Sequence, residues 1–298
     1  MKKLSFVLIL LALSQGIHSQ IIEKVIDSAR IEKLDEVLVK AIRVEASSPI
    51  THSNVSKAEL ATRNLGQDLP ILLNYLPSVV TTSDAGAGIG YTGIRVRGVS
   101  AQSTNITING IPYNDAESLG TFWVDLPDFA SSVESLQLQR GVGTSTNGSG
   151  AFGASINILT DAISKDSQAE ISNTFGSYNT LKHNLKFSTG LLGSNIEISG
   201  RLSQIKSDGY IDRAASDLKS YFLQGAYTDD NTLIKMLVFG GHEITYQAWN
   251  GIDAETLKNN RTFNPSGIYT DDDGTINFHE NEVDNYKQDH YQLHWNQK

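Results

Sequence analysis

Three arginines in two glycine-ended stretches are the residues whose types and spacing best suit a defined chemical role. Arg95 and Arg97 alternate in a stretch that ends at Gly98, and Arg140 directly precedes Gly141. A guanidinium group is a rigid fork that binds a carboxylate through two parallel hydrogen bonds. Glycine allows the sharp turns and close backbone approaches that would aim such groups. We therefore predict that these residues hold one part of the protein against acidic groups on another. The alternative is that they only stabilise the domain that contains them.

Loops of the same region offer candidates for ligand binding. Aromatic rings in these loops could stack on a ligand, and the polar side chains could form hydrogen bonds with it. The alternative is that they pack against neighbouring parts of the protein. The candidate binding residues are Tyr91, Asn114, Asp115, Phe122 and Trp123.

Patterns that would indicate a nucleotide, a metal or a catalytic centre are incomplete. Residues 148–153 match G-x-G-x-x-G, but residues 154–160 alternate like a strand, where a dinucleotide site needs a helix. The aspartates at 271–273 lack the spacing and the closing glutamate of an EF-hand, which favours a solvated turn. The histidines form no H-E-x-x-H pattern. We accordingly expect no cofactor, no bound metal and no enzymatic activity.

The composition narrows the class of protein further. The chain has 298 residues, a net charge of −9 and no cysteine. A nucleic-acid-binding surface needs a basic face to neutralise phosphates, so the acidic balance argues against nucleic acid as a partner. Without cysteine, neither disulfides nor thiolate metal sites can form.

The N-terminus has the pattern of an export signal. A basic start is followed by an apolar run from Leu4 to Leu13 and by a small residue, Ser19. This is typical of a secretory signal peptide, and the run is shorter than the roughly 20 apolar residues of a transmembrane helix. We predict cleavage after Ser19, with Gly16 as the alternative.

Residues 51–162 have the pattern of a compact α+β domain that would position the candidate residues. Leucines on one face predict a short helix over residues 68–76, capped by the Asp68 side chain and ended by Pro77. Glycine-bounded strands are predicted over residues 93–98, 105–109, 133–140 and 154–160.

From about residue 168 the pattern changes to long strands with one polar and one apolar face. Ile196 and Ile198, for example, alternate with Glu197 and Ser199. The strand lengths suit the roughly 9–11 residues that a tilted strand needs to cross a bilayer, and short turns alternate with longer loops as on the two rims of an outer-membrane barrel. A soluble sandwich would show the same alternation, but export and the paired loop lengths favour the barrel. The six predicted strands cover residues 168–176, 179–190, 195–207, 217–228, 232–245 and 287–297.

These stretches together resemble the plug domain of TonB-dependent outer-membrane receptors, in particular those of the Bacteroidetes type. That family shows I-R-x-R-G, then a strand ending in D/N-G-x-P, then V-E-x-(apolar)-x-x-x-R-G, and finally a glycine-rich turn before I-N-I-x-T. The chain has each in this order, within residues 94–98, 105–112, 133–141 and 148–160. Ala154-Ser155 is a mild departure from the usual glycine. The resemblance covers roughly residues 34–160.

The resemblance also implies a binding segment for the protein that supplies the energy. An apolar-acidic patch near the N-terminus resembles the TonB box, which the TonB-type partner binds. Its residues are Leu34, Asp35, Glu36, Val37, Leu38 and Val39.

The implied organisation has four parts, and its fold class is an α+β plug domain followed by the N-terminal antiparallel strands of a large transmembrane β-barrel. The family's barrels have 22 strands, and six strands cannot close, so we expect the chain to be a fragment. The resemblance then implies roles in joining plug and barrel and in gating for Arg95, Arg97, Gly98, Arg140 and Gly141. The parts are a signal peptide (1–19), a periplasmic lead with the TonB box (20–50), the plug (51–162) and the partial barrel (163–298).

The function implied by the resemblance is energised import across the bacterial outer membrane. The protein would contact outer-membrane lipid and bind a scarce small-molecule or metal-chelate substrate, with a ferric siderophore or other iron complex favoured. A TonB-type protein would then move the plug. Two alternatives stay open: a passive outer-membrane barrel or adhesin without energised import, and a secreted glycan-active enzyme.

Overall fold

The computed structural model describes residues 43–45, 47–142 and 150–297. The predicted signal peptide in residues 1–19 and the predicted TonB box in residues 34–39 lie outside the described residues. None of the helices in the described ranges is long and apolar enough to cross a membrane.

The N-terminal part is built on a five-stranded mixed sheet in the order β1-β6-β7-β4-β5, in which β4 and β7 are parallel. A separate hairpin of β2 and β3 packs beside it. The predicted strands are confirmed to within a few residues, and β7 is a strand where a dinucleotide fold would need a helix. The strands are β1 (His52–Ser56), β2 (Val79–Ser83), β3 (Thr92–Val96), β4 (Thr104–Ile108), β5 (Ile111–Pro112), β6 (Val133–Arg140) and β7 (Ala154–Thr160).

The N-terminal part also contains two short helices. Helix α1 (Lys57–Arg63) begins with a capping box between Ser56 and Glu59, which the sequence analysis did not predict. Helix α2 (Leu69–Leu72) is a single turn and is shorter than predicted. The predicted side-chain cap by Asp68 is wrong. Pro70 at the second helical position has no N–H to donate, and the Asp68 carboxylate instead accepts a hydrogen bond from Thr92 Oγ1 at 3.0 Å.

The C-terminal part is one antiparallel sheet of six long strands, each paired with the next long strand along the chain. All six predicted strands are confirmed. The connection between the last two also holds helix α3 (Ala254–Asn259) and the small hairpin of β13 (Ile268–Thr270) and β14 (Ile276–Phe278), neither of which was predicted. The long strands are β8 (Gln168–Gly176), β9 (Thr180–Ser188), β10 (Ile196–Ser207), β11 (Ser216–Thr228), β12 (Thr232–Tyr246) and β15 (Val283–Gln297).

In a soluble protein the exposed face of a sheet is polar and its buried face is apolar. This six-stranded sheet has the reverse arrangement. Large apolar side chains such as Leu202 and Leu293 point outward and are exposed, whereas Glu197, Arg201 and Gln292 point inward and are buried. The polar face is buried because the N-terminal part lies against it. An exposed apolar face suits lipid, and a polar inner face suits a barrel lumen. We call the N-terminal part the plug and the six-stranded sheet the wall.

Candidate functional site at the plug–wall interface

A buried aspartate on the plug is the centre of the contact between plug and wall. Asp128 lies in a left-handed conformation (φ 53°) at the start of a 3₁₀ turn, so its carboxylate is turned toward the wall. Its Oδ1 lies 2.6 Å from Lys182 Nζ on β9, and its Oδ2 lies 3.5 Å from Arg201 Nη1 on β10. Because β9 and β10 are paired with Asn184 opposite Ser203, both of these residues also reach the carboxylate.

The charge state of Asp128 follows from these partners. Burial alone would raise its pKa, but the positive charges of Arg201 and Lys182 and the hydrogen bonds from Lys182 and Ser131 lower it to about 2. The carboxylate is therefore ionised at any pH at which the protein is expected to work. Removing one partner of such a buried pair typically costs about 3–5 kcal/mol, because it leaves an uncompensated charge.

Arg201 extends the same network across the wall. Its guanidinium donates to Ser132 Oγ on the plug at 2.7 Å and to Ser220 Oγ on β11 at 2.9 Å. Ser220 in turn donates to the plug carbonyl of Pro127 at 2.6 Å. Four wall side chains thus contact the Asp128 carboxylate, so the wall cannot separate from the plug without breaking these contacts together.

A second ionic contact lies at the end of β7. Lys186 Nζ on the wall is 2.6 Å from one oxygen of Asp161, and Lys57 Nζ of helix α1 is 2.7 Å from the other. Lys57 is half-exposed and also contacts Glu134. The Lys186–Asp161 pair is largely buried, but Asp161 pairs with one wall cation where Asp128 pairs with two, so we expect Asp161 to be secondary to Asp128.

The interface also has an apolar part, which the sequence analysis did not anticipate. Phe129 of the plug packs on Phe222 and Phe239 of the wall, with ring centroids 6.3 and 5.4 Å apart. These wall residues belong to the same buried cluster as the core of the plug. The plug is therefore held by a continuous apolar seam as well as by charges.

Backbone contact between plug and wall is made possible by Gly241 on β12. A Cβ placed there would lie 2.4 Å from the carbonyl oxygen of Asp125 and 2.7 Å from Pro127 Cδ. Since real Cβ atoms do not approach other atoms so closely, only glycine allows this contact without a shift. The glycine was not singled out from the sequence.

Arg140, which was predicted to bridge to the wall, bonds within the plug instead. Arg140 is buried and donates to the carbonyl of Pro77 at 2.9 Å and to Ser53 Oγ at 2.6 Å, both within the plug. The alternative of a stabilising role inside the plug therefore describes Arg140 better. Among the described residues, the ion pairs that join plug and wall have the reverse polarity, with the carboxylates on the plug and the cations on the wall.

The remaining gating candidates lie together at one surface of the plug. Arg95, Arg97 and Gly98 are exposed, and their predicted role stays a prediction. Gly141 has a positive φ of 89°, and a Cβ there would lie 3.0 Å from Arg97 Nη1. Glycine at 141 is thus favoured by the backbone conformation, whereas the exposed Arg97 side chain can shift away from a Cβ.

The predicted ligand-binding residues divide into two groups. Tyr91, Asp115 and Phe122 line a cavity of about 430 Å³ between the plug and the first residues of β15. Asn114 is used internally, since its side chain bonds to the backbone of Ile106, Thr104 and Leu119. Trp123 is only 3% exposed and belongs to the core, so it cannot contact a ligand in this conformation.

Tyr91 also closes the cavity on one side. Its hydroxyl donates to a carboxylate oxygen of Asp284 on β15 and lies 3.5 Å from Glu243 Oε1 on β12. Its ring meets Trp249 edge-to-face, with centroids 5.2 Å apart. Tyr91 therefore packs against the wall and lines the cavity at the same time. Within the described ranges, no group of three or more metal-ligating side chains is close enough to hold an ion.

The two wall cations could have been found from the sequence. Lys182 and Arg201 both fall on the polar face of a predicted strand, and a cation on a buried face needs a counter-ion. Asp128 gave no such signal, because a single aspartate between a proline and a phenylalanine has no periodicity.

Comparison with known proteins agrees with this geometry. The family profile of the TonB-dependent Receptor Plug Domain matches residues 44–155. The vitamin B12 transporter BtuB of Vibrio vulnificus is 32% identical over 180 residues, which are 59% of this chain and 28% of that protein. The ferric enterobactin receptor of Pseudomonas aeruginosa is 23% identical over 201 residues, which are 62% of this chain and 27% of that protein.

Solved structures show the same fold. The P. aeruginosa receptor FpvA, in complex with a heterologous pyoverdine and iron, superposes with a TM-score of 0.60 at 13% identity, over 86% of this chain and 33% of that one. The chain thus spans about a third or less of the length of the relatives it matches. Residues 44–155 therefore form a plug domain of the TonB-dependent receptor family, and the antiparallel strands that pack against it have the fold seen in the solved receptor.

Proposed function

We propose that this protein is an import receptor that takes up a scarce small molecule or metal chelate, with a ferric siderophore or other iron complex favoured. A TonB-type partner would bind residues 34–39 and pull on the plug. The relatives named above are a vitamin B12 transporter and a ferric enterobactin receptor, which supports cargo of this kind without choosing between them.

The observation that carries this proposal is the way in which the plug occupies the polar face of the wall. The plug is attached through a charged network at Asp128, a second ion pair at Asp161 and an aromatic seam at Phe129. A lumen filled in this manner is closed until the plug moves or rearranges. Hydration of the charged groups would lower the cost of that movement, since water can replace each hydrogen bond that is broken.

The test is to delete residues 34–39 in cells that produce the protein from its own gene. Cells would be supplied with a panel of radioactive ferric siderophores and with radiolabelled vitamin B12. We expect receptor-dependent accumulation of at least one of them to fall to the level of a strain without the gene, while binding to whole cells is unchanged. A matched control deletes six residues elsewhere in the segment 20–33.

Accumulation that persists after the deletion would overturn the proposal and would favour a passive barrel. Loss of binding together with uptake would indicate that the deletion disturbs the fold, and this is checked by the amount of receptor in the outer membrane.

A further inference from the structure

The cavity beside Tyr91 has an unusual electrostatic character. Four of its lining residues are acidic, four are aromatic, and none is lysine, arginine or histidine. The acidic residues are Asp115, Glu117, Asp125 and Asp284, and the aromatic residues are Tyr91, Tyr113, Phe122 and Tyr286.

Asp125 is the residue that most clearly points to a missing partner. It is only 6% exposed, its side chain lines the cavity, and its carboxylate has no hydrogen bond or ion pair with any described residue. Buried carboxylates are normally paired, because an isolated one loses its hydration without compensation. The hydroxyl of Thr121, at the same cavity, is also buried and without a partner.

Two of the other carboxylates around the cavity, those of Asp115 and Asp284, are held in place by hydrogen bonds. Asp115 accepts hydrogen bonds from the backbone of Ser118 and Glu117, and Asp284 accepts one from Tyr91. Tyr91 also approaches Glu243, so a fifth carboxylate lies directly behind the cavity. The negative charge is therefore built into a fixed arrangement.

Aromatic walls combined with carboxylates are the arrangement that binds organic cations. The face of an aromatic ring attracts ammonium and guanidinium groups, and a carboxylate adds a charge-assisted hydrogen bond or a direct Coulomb attraction. A bare metal ion would instead need several oxygens converging on one point, and no such cluster exists among the described residues. The cavity volume of about 430 Å³ suits one arm of a larger molecule.

We propose that this cavity binds a positively charged organic group, an ammonium or a guanidinium arm, of the molecule that the receptor takes up. The inference rests on the proposed import function and narrows its substrate class to cargo with a cationic arm. Asp125 is the residue that directly contacts the cation.

The charge state of Asp125 agrees with an unfilled cation site. Burial and the neighbouring Asp284 carboxylate raise its pKa to about 7. A cation in the cavity would stabilise the ionised form and remove the repulsion between the two carboxylates. Ligand binding would thereby also change the electrostatics behind Tyr91, where plug and wall meet.

The experiment compares choline with its neutral isostere 3,3-dimethylbutan-1-ol, which has the same shape without the charge. Binding to the receptor, purified from its own outer membrane in detergent, would be followed by ligand-observed NMR. We expect choline to bind at least about tenfold more tightly than the isostere. In Asp125→Asn the preference should fall to about twofold or less, whereas Asp272→Asn, in an exposed turn, should retain it.

Equal binding of the two compounds would overturn the inference, and so would the absence of choline binding. Displacement of choline by calcium at submillimolar concentration would also overturn it, since that would indicate a metal site. This result is independent of the import test. If choline binds and uptake survives deletion of residues 34–39, energised import is wrong and the cation site stands. If choline does not bind and uptake is lost on that deletion, the cation site is wrong and energised import stands.

Discussion

The carboxylate of Asp128 on the plug lies 2.6 Å from the ammonium of Lys182 on the wall, and both groups are almost completely buried. Arg201 approaches the other oxygen of the same carboxylate at 3.5 Å. In this part of the interface a single acidic residue neutralises two wall cations. The consequence is that the attachment of the plug depends on one residue whose loss would leave two charges without a partner.

Replacing Asp128 with asparagine should therefore loosen the plug. The amide keeps the size of the side chain but cannot neutralise Lys182 and Arg201, so docking should weaken by about 3 kcal/mol. Hydrogen–deuterium exchange in residues 127–136 would measure this as an increase of about a hundredfold in exchange rate. Asp272→Asn is the matched control, and equal protection in both variants would contradict the role of Asp128.

The same contact should make plug docking sensitive to acid. The pKa of Asp128 is lowered to about 2 in the docked state, below the value of about 3.9 for a hydrated aspartate. Its contribution of about 2.6 kcal/mol is present above pH 4 and is lost as the pH falls toward 2. Exchange measured between pH 2.5 and 5, corrected for intrinsic rates, should show this loss in the wild type and not in Asp128→Asn. Parallel profiles for the two proteins would show that other groups cause the acid sensitivity.

Gly241 offers a test of the close backbone contact. Alanine at this position would place a Cβ 2.4 Å from the carbonyl oxygen of Asp125, so the plug must move away from β12. We expect a cost of about 1–3 kcal/mol, as for other overpacked sites, seen as faster exchange at residues 123–129. Gly225→Ala on the neighbouring strand, where a Cβ would have no atom within 4 Å, should leave exchange unchanged. Similar behaviour of the two variants would argue against the contact.

The orientation of the wall can be tested with spin labels, because the chain has no cysteine and a single introduced one is a unique attachment site. Leu293 is 70% exposed on the outer face, whereas its neighbour Gln292 is buried against the plug. In outer membranes a label on Leu293→Cys should be more accessible to oxygen than to a water-soluble nickel complex, as expected in lipid. A label on Gln292→Cys should be shielded from both. Preference for the nickel complex at position 293 would place that face in water.

The alternation of polar and apolar residues predicted most of the wall. Strand periodicity depends only on local sequence, so Glu197 and Arg201 could be assigned to one face and Ile198 and Leu202 to the other. The partner of each inward residue could not be assigned, because pairing across space leaves no local pattern. This is why Arg140 was predicted to reach the wall although it bonds to Pro77 and Ser53.

At the candidate ligand site, too, the sequence did not predict which of two neighbouring residues lines the cavity. Phe122 and Trp123 are adjacent aromatics, yet the first lines the cavity and the second is core, because a 3₁₀ turn begins between them. Asp125 lies in the same turn and was missed, since its lack of a partner is visible only once the surrounding atoms are placed. Aromatic and acidic composition could indicate the region but not the individual residues.

The central claim, that the plug must move relative to the wall for cargo to pass, is tested most directly by tying the two together. A Cβ placed at Gly90 on the plug would lie 3.9 Å from the Cβ of Ser216 on β11, within the range for a disulfide. The double variant Gly90→Cys/Ser216→Cys would be compared with each single variant, which controls for the positive φ of 91° at Gly90. We predict that the oxidised double variant binds its cargo but does not accumulate it, and that a membrane-permeant reductant restores uptake. Uptake by the oxidised form at the rate of the single variants would contradict the account.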